Sequence, residues 1–227
     1  MRELVKKDVL LQWRQGFWLV YFIISIVYII ILLNIPRESR MIVSLIMILS
    51  DTTMLGIIFI AALILLEKQQ SVVLSLFVTP LNPSGYIWAK TISLSLIAVT
   101  MSILVYLPVL QLSVYTLLLL FTIAITAAIF VLFGLGIASQ VESINQYFGR
   151  IILISMAILI PVIPYLVFDR HPAFIILPYI ASLDLMLGAM QPLSHWRIIV
   201  DIVLLVTWGY LAFLFSKNQV NKHLVYK

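Results

Sequence analysis

The stretch that decides the fold is Met41–Gln70, MIVSLIMILSDTTMLGIIFIAALILLEKQQ. Residues 41 to 66 carry one charge, Asp51, and the run stops abruptly at Glu67-Lys68-Gln69-Gln70. A helix crosses the hydrocarbon core of a bilayer with roughly 20 mostly apolar residues. The stretch therefore predicts a membrane span that ends at a water-facing segment. The whole chain shares this character: of its 227 residues 63% are hydrophobic and only 10% charged, with a mean hydropathy of +1.17. Soluble domains average about 45–50% apolar and about 25% charged residues. There is too little polar surface here to cover a soluble globule, so the chain reads as an integral membrane protein. The absence of cysteine and the eight glycines exclude a disulfide scaffold and a collagen-like chain. They also remove any thiol nucleophile or thiolate metal site.

Outward from this stretch lie further apolar runs at residues 16–33, 87–110, 116–138, 151–168 and 198–215. With residues 41–66 they predict six spans in a single all-α transmembrane domain covering residues 1–227. Polar breaks at 34–40, 111–115 and 139–150 separate them, and the fifth run contains Pro161 and Pro164. Residues 1–15 do not read as a cleavable signal, because the apolar run after Arg14 is long and no small-x-small site closes it. They suit an interfacial helix with Lys6, Lys7 and Arg14 loosely on one side. Residues 216–227 form a hydrophilic tail.

The basic residues test this order. The formal net charge is +5 and the isoelectric point near 9.5, but the basic residues form no cluster suited to nucleic acid. With the N-terminus inside, Arg2, Lys6, Lys7, Arg14, Lys68, Lys90, Arg150, Lys217, Lys222 and Lys227 fall on the inner side. Arg37, Arg40, Arg170 and Arg197 fall outside. The positive-inside rule then places both termini in the cytoplasm. Residues 169–197 are the awkward segment, since Ala173–Met190 is nearly apolar enough to cross. Crossing would invert the last span and put the tail lysines outside. Pro172, Pro178, Asp184, Gly188 and Pro192 punctuate the segment, which favours an outer re-entrant hairpin held against protein. A seven-span arrangement is the alternative.

Much chemistry is missing. No G-x-x-x-x-G-K-[ST] occurs, so this chain does not cradle nucleotide phosphates in the P-loop manner. Gly134-Leu135-Gly136 lies inside an apolar run and suits close helix packing. His171, His195 and His223 are not spaced as a metal site. There is no G-x-S-x-G, no H-E-x-x-H, and no paired-carboxylate or nucleophile–base set for a membrane-embedded enzyme. Asp51 is the one acid clearly within a span, with Asp201 near the outer end of another. Asp51-Thr52-Thr53 favours an N-cap where the second helix restarts, with a substrate or ion contact as the alternative. So few intramembrane charges argue against an ion-driven secondary transporter.

The informative segment is Glu67–Lys90, EKQQSVVLSLFVTPLNPSGYIWAK. Val72, Val73, Leu76 and Phe77 give an apolar stripe at helical spacing, and Thr79-Pro80 ends it. Leu81–Gly85 makes a turn before the chain re-enters at Tyr86, Trp88 and Lys90. An amphipathic helix on the cytoplasmic side needs the membrane surface or a partner's groove to bury its stripe.

This segment resembles that of the ABC-2 type permeases, E-[RK]-E-x-G-T-x-x-x-L-x-x-[ST]-P-[LI] followed by a turn and a lysine. Glu67, Lys68, Leu76, Thr79, Pro80, Leu81 and Lys90 match without gaps, while Gln69, Ser71 and Val72 replace the second acid and the Gly-Thr. These departures, together with Lys7-Asp8-Val9, Gln12-Trp13-Arg14 and Gly16-Phe17, are similar to the small permeases of the fluoroquinolone-type drug-export group. The resemblance implies the membrane half of an exporter in a bacterial plasma membrane. ATP and Mg would be bound by two copies of a separate ABC ATP-binding subunit, and no cofactor by this chain. It implies a coupling helix in the 67–86 loop: Glu67 at the membrane exit, the Val72, Val73, Leu76 and Phe77 stripe in the ATPase cleft, and Thr79-Pro80 as terminator. A second permease copy or a related permease would complete the pathway. The cargo would be a hydrophobic or amphipathic, drug-like compound, with Ser25, Tyr28, Asp51, Thr52, Thr122 and Thr126 as sparse polar points in an apolar wall. A lipid-linked glycan, peptide or antibiotic cargo fits the same architecture.

Overall fold

The computed structural model describes residues 2–70, 82–106, 116–167, 176–188 and 194–225, and every described element is helical. In chain order they are α1 (Arg2–Arg14), α2 (Phe17–Asn34), α3 (Arg37–Gln69), α4 (Pro83–Tyr106), α5 (Thr116–Ser139), α6 (Ile144–Leu159), α7 (Val162–Val167), α8 (Pro178–Gly188) and α9 (His195–Val220). Of these, α2, α3, α4, α5 and α9 are long and apolar enough to cross a membrane. The chain is a multi-pass membrane protein.

Local chemistry sets the element ends. Gly16 sits at φ +78° between α1 and α2, in the left-handed region that glycine adopts without a Cβ penalty. This kink separates the short N-terminal helix from the first span. At the start of α4, Asn82 Oδ1 accepts from the Ser84 amide at 3.1 Å. Pro83 follows at the first helical position, where its missing N–H costs nothing.

α5 is the hub. It is free of charge and packs against α3, α4, α8 and α9. Its crossing with α3 is set by two glycines. A Cβ on Gly134 would lie 2.5 Å from Ile60 Cγ2 and 2.9 Å from the Gly56 carbonyl oxygen; one on Gly56 would lie 2.8 Å from the Val131 backbone nitrogen. Gly136 gives the same closeness to the Phe215 ring of α9, 2.5 Å from its Cβ position. The Gly134-Leu135-Gly136 pair is thus a helix-packing device, as the sequence suggests.

Two expectations need correction. The helix does not restart at Asp51, so Asp51 is no N-cap: α3 runs through it and widens into a π-helical turn over Leu55–Phe59. The wider turn admits an outside donor, and the Tyr147 hydroxyl of α6 donates to the Ile57 carbonyl at 2.6 Å. The fifth predicted span begins earlier, at Ile144, because Ser143 caps α6 by accepting from the Gln146 amide. It is then broken at Ile160-Pro161, where proline has no N–H to continue the ladder, and resumes as the short α7. The hydrophilic tail is helical as far as Val225, because Ser216, Val220 and Leu224 recur at four-residue spacing and are buried. The segment before α9 meets its expectation in part: all residues of α8 are buried, against α3, α5 and α9.

Gly134→Ala should lower the apparent melting temperature of the detergent-solubilised protein by several degrees, since overpacking a tight contact costs about 1–3 kcal/mol. Gly149→Ala, with nothing within 4 Å of its Cβ position, should leave it unchanged or raise it. Thermal unfolding of both variants followed by intrinsic fluorescence is the check.

Candidate functional site

Both roots of the loop joining α3 to α4 are tied into one buried polar cluster. Glu67 ends α3, and Tyr86 and Lys90 stand one turn apart near the start of α4. The Lys90 ammonium donates to Glu67 Oε1 and, at 2.6 Å, to Asp8 Oδ1 of α1. The Tyr86 hydroxyl donates to Glu67 Oε2 at 2.6 Å, and Lys90 Nζ stands 5.5 Å from the Tyr86 ring centroid. Lys90 is only 2% exposed. An ammonium so far from water is costly to bury, and two carboxylates at hydrogen-bond distance offset that cost. Burial pushes the Asp8 carboxyl above the usual carboxylate range, with the Lys90 ammonium pulling the other way.

A second tie runs parallel one turn along α1. The buried Gln12 amide donates to Ser93 Oγ at 2.9 Å, and Ser93 Oγ donates to the Lys90 carbonyl. Asp8 and Gln12, four residues apart, are therefore the face by which α1 straps onto α4. Lys68 works on the other side. Its ammonium donates to the carbonyls of Ala138, Ser139 and Val141, at 3.2, 2.7 and 2.8 Å. A cation on the last carbonyls of α5 satisfies orphan acceptors and opposes the negative helix end. The loop roots are thus clamped to α1 through Glu67 and Lys90, and to α5 through Lys68.

Of the residues expected to couple to an ATPase, Glu67 and Lys68 are in this clamp. Val72, Val73, Leu76, Phe77, Thr79, Pro80 and Leu81 lie outside the described residues. Asp8, Gln12, Tyr86 and Lys90 are the site residues that sequence reasoning did not single out as a set. The signal was two polar pairs, each four residues apart, on otherwise apolar helix faces.

The residues expected along a substrate path lie in two places, Ser25, Tyr28, Asp51 and Thr52 on α2 and α3, and Thr122 and Thr126 on α5. Ser25 and Tyr28 of α2 share a face with Tyr21, and both tyrosines lie within electrostatic range of Asp51 on α3. Thr52 is buried and donates back to the Ile48 carbonyl. Thr122 donates to Leu118, and Thr126 meets Ser182 of α8 at 2.7 Å. The three threonine hydroxyls are satisfied within the protein.

A third polar group holds α8 in place. Arg197 Nε of α9 donates to Asp184 Oδ2 at 2.6 Å, and the Tyr165 hydroxyl of α7 donates to Asp184 Oδ1. Asp201 lies beside Asp184, fully buried. Between α5, α6 and α9 there is also an apolar cavity of about 320 Å³, walled by Phe130, Phe133, Trp208 and Phe215 among others.

Lys90→Met should destabilise the protein strongly, because breaking a buried ion pair from one side costs about 3–5 kcal/mol. Combining it with Asp8→Asn and Glu67→Gln removes the stranded charges and should recover most of the loss. Thermal unfolding and protease cleavage after Lys6-Lys7 report the two effects; equal stability of the single and triple variants would remove the clamp assignment.

No curated protein matches the chain. A family model described as the fluoroquinolones export permease protein family matches residues 1–227, so the helices, the clamp and the apolar cavity are those of an export permease, and the chain belongs to that family.

Proposed function

We propose that this chain is the membrane-spanning subunit of an ATP-driven ABC-2 exporter in a bacterial plasma membrane, moving a hydrophobic or amphipathic drug-like compound outward. The observation that carries the reading is the buried clamp at the roots of the 67–90 segment. An ordinary connecting loop has no need to anchor both ends through a desolvated lysine. A loop that receives force does, because slack at its roots would dissipate any displacement. Here the root of α3 is tied to α1, α4 and α5, so motion of the loop moves the helices that form the bundle.

In this reading the Val72, Val73, Leu76 and Phe77 stripe docks into one of two ABC ATP-binding subunits, which bind Mg and ATP. Hydrolysis belongs to those subunits, and this chain is a transport subunit without catalytic residues. The broken α6–α7 unit completes six spans, with both termini in the cytoplasm. α8 is the outer re-entrant segment, pinned by the Arg197–Asp184 pair. A second permease forms the other wall of the pathway. The aromatic cavity of about 320 Å³ has the size of the smaller ligand sites and suits an apolar ring system. ATP-driven closure of the paired subunits would tilt the bundle and switch the pathway outward.

Leu76→Asp with Phe77→Asp should abolish co-purification of the ATP-binding subunit while leaving membrane insertion and helix content unchanged. Pull-down from native membranes in mild detergent, with ATPase activity assayed on the eluate, is the check. Undiminished co-purification of the ATPase would sink the docking assignment.

A further inference from the structure

Glu67 and Asp8 face Lys90 and Asp184 faces Arg197, while Asp201 is buried beside that pair with both carboxylate oxygens unpartnered. Asp51 differs. It is half-buried, near the middle of the 33-residue helix Arg37–Gln69, about 21 Å along the axis from Arg37 at 1.5 Å per residue. Among the described residues its carboxyl group has no hydrogen bond and no ion pair, and no basic residue stands at its depth.

Its surroundings are aromatic. Tyr21 and Tyr28 of α2 lie within electrostatic range, with Ser25 on the same face between them. The π-helical turn that begins four residues after Asp51 carries Phe59, whose ring is 4.8 Å from Tyr21. π-helical turns are rare and recur at functional sites. A second copy of the chain does not supply the missing counter-charge. None of the 14 lysines and arginines lies near the depth of Asp51 in any apolar run, and side-by-side copies keep that depth.

We propose that Asp51 binds the protonated amine of an amphipathic cationic cargo at the α2–α3 seam. A carboxylate in an apolar setting attracts a cation far more strongly than in water. The apolar remainder of such a molecule is at home against the surrounding helices. The proposal deepens the export reading and rests on it for the word cargo, but binding itself needs no ATPase.

The test uses the full chain in nanodiscs, titrated with a dansyl-alkylamine and with its neutral N-acetylated analogue. Asp51→Asn keeps the shape of a protonated carboxyl and removes the charge. It should weaken amine binding by about tenfold or more, the range of a charge-assisted hydrogen bond, and leave the acetylated analogue unchanged. Asp51→Glu should restore part of the amine affinity. Equal weakening of both probes, or no change in either, overturns the proposal. Adding the ATP-binding subunit and ATP in proteoliposomes separates the two readings: selective binding without transport of either probe rejects the export function and keeps the amine site.

Discussion

Lys90 is withdrawn from water and reaches two carboxylates carried by two other helices, and the end of the bundle that bears the α3–α4 loop is organised around it. Replacing hydration of an ammonium by contacts inside a protein succeeds only when the geometry is close and the remaining oxygens find donors. Tyr86 supplies that last requirement to Glu67, and Lys68 closes the neighbouring end of α5. The result is a joint rather than a contact. Three elements distant in sequence, α1, the end of α3 and the start of α4, lose their charges' access to water together. None can leave without exposing the others' unpaired groups to an apolar surrounding.

The opposite end of the bundle repeats this logic with different groups. Asp184 sits on a helix enclosed by protein, and Arg197 and Tyr165 satisfy it from α9 and α7. Between these two polar ends the packing is steric. Gly56 and Gly134 let α3 and α5 approach until backbone meets backbone, which fixes their crossing without any charge. In lipid, where apolar burial between helices gains little, such close approach and a few polar ties are the forces that remain. The export permease is therefore electrostatically fixed at its ends and sterically fixed in its middle.

The long apolar helices α2, α3, α4, α5 and α9 were legible because apolar runs near 20 residues leave the sequence few choices. The burial of α8 was legible too, since its bounding prolines and glycine made an apolar segment read as something other than a span. Asp51 misled for a physical reason: Asp-Thr-Thr is a good cap in isolation, but packing against α5 carries the helix straight through it. Nothing in Leu55–Phe59 announces a π turn, because that turn answers to Tyr147 and Gly134 from other helices. The clamp was hidden for the deepest reason. Asp8 and Lys90 are separated by 82 residues, and no local pattern links them before the chain folds.

α3 joins these parts. At about 1.5 Å per residue its 33 residues make a rod about 50 Å long, anchored by Glu67 and Lys68 at one end and gripped by α5 at Gly56. A rod held in this way pivots at the grip when its end is displaced. The π turn lies at that grip, where the helix is already wound differently and the Tyr147 hydroxyl enters the carbonyl ladder. Asp51 stands four residues beyond the pivot from the loop. In the exporter reading, a push on the loop would swing the segment carrying Asp51 against α2 with its tyrosines. The carboxyl proposed to hold a cation and the joint proposed to receive force would then lie on one lever, on either side of its pivot, needing no further element to connect them.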